Sequence, residues 1–153
     1  MGSSALQSLL VMLLLDVLKT KLDQNYLRLP AELGLKFGKK SWRNLDIAIY
    51  DKRKVADKSV FLNNKYIEIP PEVVIEIDTK AELTELPDPA SYHQKKTDQL
   101  LNAGVQRVIW IFTSTRKHQV AVKDQKWETD NWTADIVIME GVTVNINQLL
   151  EAF

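Results

Sequence analysis

The stretch "PPEVVIEIDTK", residues 70–80, decides the fold. Two prolines introduce Val73, Val74, Ile75 and Ile77, the composition of a strand buried on both faces. A period of two puts Val73, Ile75 and Ile77 on one face, and Val74, Glu76 and Asp78 on the other. One face is therefore wholly apolar, while the other carries two carboxylates. Burying an unpaired carboxylate is expensive, so Glu76 requires a partner elsewhere in the chain.

Upstream, "NLDIAIYD" (44–51) alternates in the same way. Leu45, Ile47 and Ile49 are expected on one face, and Asp46, Ala48 and Tyr50 on the other. Asp46 is the other acid inside an apolar strand. Two carboxylates brought together raise one another's pKa unless a cation lies between them. Magnesium, which takes one or two carboxylates plus water and phosphate oxygens, suits such a pair. Downstream, the pattern predicts a helix over 91–104, capped by Ser91 and stopped by Gly104. At roughly 100° per residue, His93, Thr97, Leu100, Leu101 and Gly104 form one stripe. Lys96 lies at its edge and Lys95 on the solvent side, so Lys96 can lay its stem on the sheet and carry its ammonium to the acids.

The remaining pattern is consistent with one domain over 1–153. A helix is expected over 4–23, capped by Ser4, with strands at 25–30, 33–38, 65–69, 107–114, 118–122 and 135–139. The acidic, proline-bearing segment 79–90 reads as a mobile loop, and "VNINQLLEAF" as a strand and a short helix. Helix, strands, helix, strands and short helix make a mixed α+β chain whose mixed central sheet is flanked by helices.

Composition narrows the functions. Lys plus Arg number 20 and Asp plus Glu number 20, so no global charge draws the chain to nucleic acid or membrane. The absence of cysteine excludes disulfides and thiolate metal sites, and two histidines make a zinc centre a poor fit. The apolar run "LLVMLLL" (9–15) falls well short of the roughly 20 residues of a spanning helix. A cytoplasmic protein with no membrane partner is expected. The same run is apolar nearly all round its helix, which predicts burial against a second copy and hence a homodimer. Val11, Leu14 and Leu15 are the residues expected at that interface.

Asp on one strand, Glu in a following apolar strand and then Lys resemble the PD-(D/E)xK nuclease superfamily. The order and spacing are similar to the Uma-two family of restriction-endonuclease-like proteins. The matching elements are Asp46 in "LDIAIY", Pro71 and Glu76 in "PPEVVIEID", Lys96 in the helix, "AGV" at 103–105 and "RVIWIF" at 107–112. They span roughly residues 40–153, and 1–40 match weakly. Leu45 replaces the family's usual proline, "DTK" its "SPS", and Leu100 its common aromatic. The superfamily's lysine usually sits two residues after the Glu, where this chain has Asp78. The resemblance implies a restriction-endonuclease-like core and an endonuclease acting on DNA with Mg2+ or Mn2+. It further implies Asp46, Glu76 and Lys96 as catalytic residues, with Asp46 and Glu76 toward the metal. Asp78, which shares the face of Glu76, is a further candidate metal ligand. Lys80 is the alternative lysine.

Plainer roles exist for each residue. Asp46 can face water at an edge, Glu76 can form a structural ion pair with Lys96, and Asp78 can simply end its strand. His93 and Trp110 suit packing. Trp42, Trp127 and Trp132 suit packing before base stacking. Lys36, Lys39, Lys40 and Arg43 form the basic cluster nearest Asp46. The competing function is a non-catalytic module of the same fold that acts by self-association or partner binding.

Overall fold

The computed structural model describes residues 4–38, 41–78 and 89–153. Its centre is a six-stranded sheet in the order β1-β2-β3-β4-β5-β6. The strands are β1 (Tyr26–Gly38), β2 (Ser41–Asp51), β3 (Val73–Asp78), β4 (Arg107–Phe112), β5 (Lys117–Val122) and β6 (Glu128–Asn131). A separate hairpin pairs β7 (Ile136–Met139) with β8 (Val142–Val144). Three α-helices accompany them: α1 (Ala5–Lys21), α2 (Pro89–Asn102) and α3 (Ile146–Ala152). The ladders are antiparallel except β3–β4, which are parallel and joined through α2. A parallel pair needs such a crossover, and α2 thereby lies across the sheet. The expected mixed α+β architecture is the observed one.

Strand β3 is buried along its whole length, as its composition requires. Val73, Ile75 and Ile77 join Ile47, Ile49, Ile109 and Ile111 in one apolar cluster. That face is covered by α1, the β7–β8 hairpin and Ile146 at the start of α3. On the opposite face, Val74 packs with Ala48, Tyr50, Val108 and Trp110 beneath Leu100 and Leu101 of α2. Ser4 caps α1 by accepting from Gln7 N at 3.1 Å. Gly104 ends α2 with φ of +113°, a conformation open to glycine. A Cβ there would also stand 3.0 Å from the Pro70 ring.

Several sequence expectations are corrected. The two strands predicted at 25–30 and 33–38 are one strand, β1, whose register on β2 shifts between Pro30 and Leu33. Two β1 residues there oppose Asp46 alone, which is a bulge. Past it Leu45 leaves the face of Ile47 and Ile49 and joins the α2-side cluster with Leu35. Helix α2 opens at Pro89, so Ser91 lies inside it and does not cap it; proline suits a first turn. The strand expected at 65–69 reduces to one bridge, Leu35 with Ile67. The loop expected over 79–90 falls mostly outside the described residues, as does Lys80.

In α1, Gln7, Leu10, Leu14 and Leu18 are buried along one stripe. Leu14 is completely inaccessible, and Val11 and Leu15 lean on the same core, so Leu14 cannot belong to an interface. The side turned away carries Leu9, Leu13 and an exposed Met12 instead. Among the described residues no helix is long and apolar enough to cross a membrane.

Candidate active site

The register Ile47↔Ile75 places Asp46 opposite Glu76, one step beyond the last paired residues of β2 and β3. Both residues lie on the α2 side, in phase with Ala48 and Val74. Here the ladder stops and a side chain takes over. Ile77 N donates to Asp46 Oδ2 at 2.8 Å, so the carboxylate satisfies an amide of the neighbouring strand. Asp46 thereby ties β3 to β2 one step beyond the end of their ladder.

Lys96 descends onto this pair from α2. Its Nζ is 2.6 Å from Glu76 Oε1, and it donates to the Asn44 carbonyl at 2.9 Å. Only 3% of Glu76 and 6% of Lys96 are exposed. Lys95 is exposed, as the helical phase predicts. The indole of Trp110, which pairs with Glu76 across the β3–β4 ladder, lies 5.8 Å from the ammonium. Trp110 Nε1 donates to Thr97 Oγ1 at 2.8 Å, and that hydroxyl donates to His93 O at 2.7 Å. This chain fixes the rotation of α2 on the sheet, and hence the aim of Lys96.

Burial pushes the Glu76 carboxyl up to about 8; Lys96 opposes the rise and Asp46 adds to it. Burial also works to lower Lys96, yet Glu76, followed by Tyr92 and Asp46, holds the ammonium above its ordinary value. The ion pair is close but poorly aligned. Glu76 Oε1 has no hydrogen-bond donor in good geometry among the described residues. One buried cation thus leaves the Glu76–Asp46 pair short of positive charge.

Asp78 lies two residues along the same face and is also buried. Thr113 donates to its backbone carbonyl at 2.9 Å from Oγ1 and at 3.1 Å from N. Among the described residues no three His, Cys, Asp or Glu side chains gather in a metal-holding group. The arrangement at hand is two acids, Asp46 and Glu76, and one lysine. Two carboxylates suffice for magnesium when water and phosphate oxygens complete its shell, and the raised Glu76 carboxyl would ionise beside a divalent charge. The residues present fit such an ion.

His93 stands edge-on to Trp110 at 4.5 Å and to Phe112 at 5.2 Å, a packing position. Trp132 is buried, and Trp127 packs against the α2-side cluster. Lys39 and Lys40 fall outside the described residues. Arg43 donates from Nε to Gln99 Oε1 at 2.9 Å and lies over the Tyr92 ring at 5.8 Å. Sequence reasoning missed Asn44, Tyr92 and Gln99. Asn44 contributes a main-chain oxygen, which leaves no mark in sequence. Tyr92 and Gln99 sit four before and three after Lys96, a helical spacing that could have grouped them.

No family model matches the chain, and no curated protein does. Solved structures do match. One is the crystal structure of a candidate nuclease belonging to DUF820 from Anabaena variabilis ATCC 29413, with a TM-score of 0.71. It is 20% identical, and the match covers 99% of this chain and 83% of that one. The likeness establishes a shared fold, including the N-terminal forty residues that the sequence motifs left aside.

Proposed function

We propose that this chain is a metal-dependent nuclease that hydrolyses phosphodiester bonds in DNA, of the Uma-two kind that its motifs resemble. The observation that carries the reading is the buried meeting of Lys96 with Glu76, opposite Asp46, in a fold shared with a candidate nuclease. Asp46 and Glu76 would hold Mg2+ or Mn2+, with Asp78 behind them on the same face. When bound, the ion would supply Lewis-acid stabilisation of the scissile phosphate and lower the pKa of water. Glu76 would release its proton to solvent as the metal binds and hold one side of the site. Lys96, kept charged beside Glu76, stabilises negative charge as it develops on phosphate oxygens. Asn44 O and the Trp110–Thr97 chain keep that ammonium in place.

Cleavage of supercoiled plasmid and of single-stranded DNA, with Mg2+ or Mn2+, tests the proposal. Wild type should cut, EDTA should stop it, and Glu76→Gln should be inactive. The 2.6 Å approach of Lys96 to Glu76 also favours a second reading, in which the pair is purely structural and the domain non-catalytic. Under that reading no metal supports cleavage, and divalent ions leave the melting temperature unchanged.

Self-association through α1 is part of the proposal, now resting on Leu9, Met12 and Leu13. Light scattering should give twice the 17.5 kDa chain mass, and Met12→Glu should return the monomer.

A further inference from the structure

Arg43 is the one described arginine next to the acid–lysine pair. Other arginines are engaged elsewhere. Arg53 is paired with Asp51 at 3.0 Å, Arg28 donates to Leu15 O, and Arg107 to Val137 O. Arg43 is half-buried, and no carboxylate among the described residues forms an ion pair with it. Its position is nevertheless built. Gln99 accepts from its Nε, and its Cζ lies over the Tyr92 ring. Tyr92 and Gln99 bracket Lys96 on α2, and residue 44, next in sequence to Arg43, supplies the carbonyl that Lys96 grips. The guanidinium is thus tied to the helix turns that position Lys96. Nε is spent on Gln99, while the two terminal nitrogens form a planar fork suited to two oxygens of one phosphate.

We propose that Arg43 binds a backbone phosphate of the substrate strand beside the one that is cut. The proposal rests on the nuclease reading and adds to it a substrate-positioning residue with a fixed orientation. A guanidinium held in advance by Gln99 and Tyr92 loses less freedom on binding than a lysine on the open surface. The alternative is that Arg43 only pins α2 to β2.

Fluorescence anisotropy of a labelled 20-base-pair duplex, and of its single strand, separates the two. Wild type and variants are compared from 50 to 200 mM NaCl with Ca2+ in place of Mg2+. Arg43→Gln should weaken binding about tenfold at the lowest salt. The slope of log K against log salt should become shallower by about 0.9 on duplex, or about 0.7 on single strand, as one phosphate contact is lost. Arg43→Lys should keep the slope and recover only part of the affinity, because ammonium lacks the fork. Gln99→Leu, which keeps the charge and frees the fork, should weaken binding with the slope unchanged. A wild-type protein that binds DNA with a slope Arg43→Gln does not alter would overturn the phosphate contact and leave the nuclease reading standing. A lowered melting temperature with that slope intact assigns Arg43 to pinning α2. Wild type that binds neither probe at 50 mM salt overturns both.

Discussion

The two faces of the central sheet are made from alternate residues of the same strands, yet they bear opposite burdens. Beneath α1 and the β7–β8 hairpin, Ile47, Ile49, Val73, Ile75, Ile77, Ile109 and Ile111 meet Leu10, Leu14 and Leu18 with no charge among them. Beneath α2, the same strands present Asp46 and Glu76 to Lys96, with a buried Asp78 farther along the same face of β3. The apolar face holds the strands in register through burial. The polar face uses that rigidity to keep charges close that would separate in water. Removing a charge should therefore hurt chemistry first, and removing a methyl group stability first.

The largest expected effect tests this division on the polar face. Lys96→Met should lower the plasmid cleavage rate by about 10²–10³-fold, the usual cost of losing a preorganised charge-stabilising donor. Lys95→Met should leave it unchanged. Equal losses from both would mean that the phase of α2 plays no part. Above about pH 8, where the Glu76 carboxyl is ionised, Lys96→Met also strands a buried charge, so urea unfolding there should show about 3–5 kcal/mol of lost stability. Adding Glu76→Gln to it should restore most of that stability but none of the activity.

On the apolar face, Leu14→Ala should cost about 2–5 kcal/mol in the same unfolding experiment. Cleavage per folded molecule should stay near wild type. A selective loss of activity without loss of stability would blur the distinction between the faces.

A smaller effect is expected at the Trp110–Thr97 bond. Thr97→Val keeps the shape and leaves the buried indole N–H without its acceptor, at a cost of about 1–3 kcal/mol. The activity should fall too, because α2 can then rotate on β4. Thr97→Ser should recover both.

Finally, the faces should differ in their response to pH. The Glu76 carboxyl is pushed up to about 8 from 4.5 in a free chain. Between those values the folded protein holds a proton that the unfolded chain has lost. Its stabilising contribution is therefore full below about 4.5 and declines as pH rises to about 8. Melting temperatures from pH 5 to 8.5 should fall more steeply for wild type than for Glu76→Gln. Mg2+ should flatten the wild-type slope, since the metal takes the proton's place. Parallel pH profiles for the two proteins would argue against the raised carboxyl.

The division of faces was legible in "VVIEID" because β3 is regular, and alternation alone then assigns every residue. It failed for Leu45, where the bulge opposite Asp46 breaks the alternation that the reading assumed. The cap at Ser91 failed because proline can open a helix as well as precede one. Strand β6, "ETDN", was missed because every residue of it is exposed, and an edge strand with no buried face has no apolar rhythm. For α1 the apolar run was plain, but composition could not say which stripe faced the sheet, and Leu14 was placed on the wrong side. The Asp46, Glu76 and Lys96 set was legible only because each departs from the packing pattern around it. Arg43 had the same visibility as any surface cation until Gln99 and Tyr92 were seen to hold it.

The Asn44 carbonyl that holds Lys96 belongs to the main chain. Every one of the twenty amino acids carries that oxygen, so no substitution at position 44 can delete it. Only a change in the path of β2 could do so. This contact of the site is thus written in the shape of a strand and not in its letters. Residue 44 is free to drift, and its exposed side chain can be altered for solubility or labelling without touching the lysine's anchor.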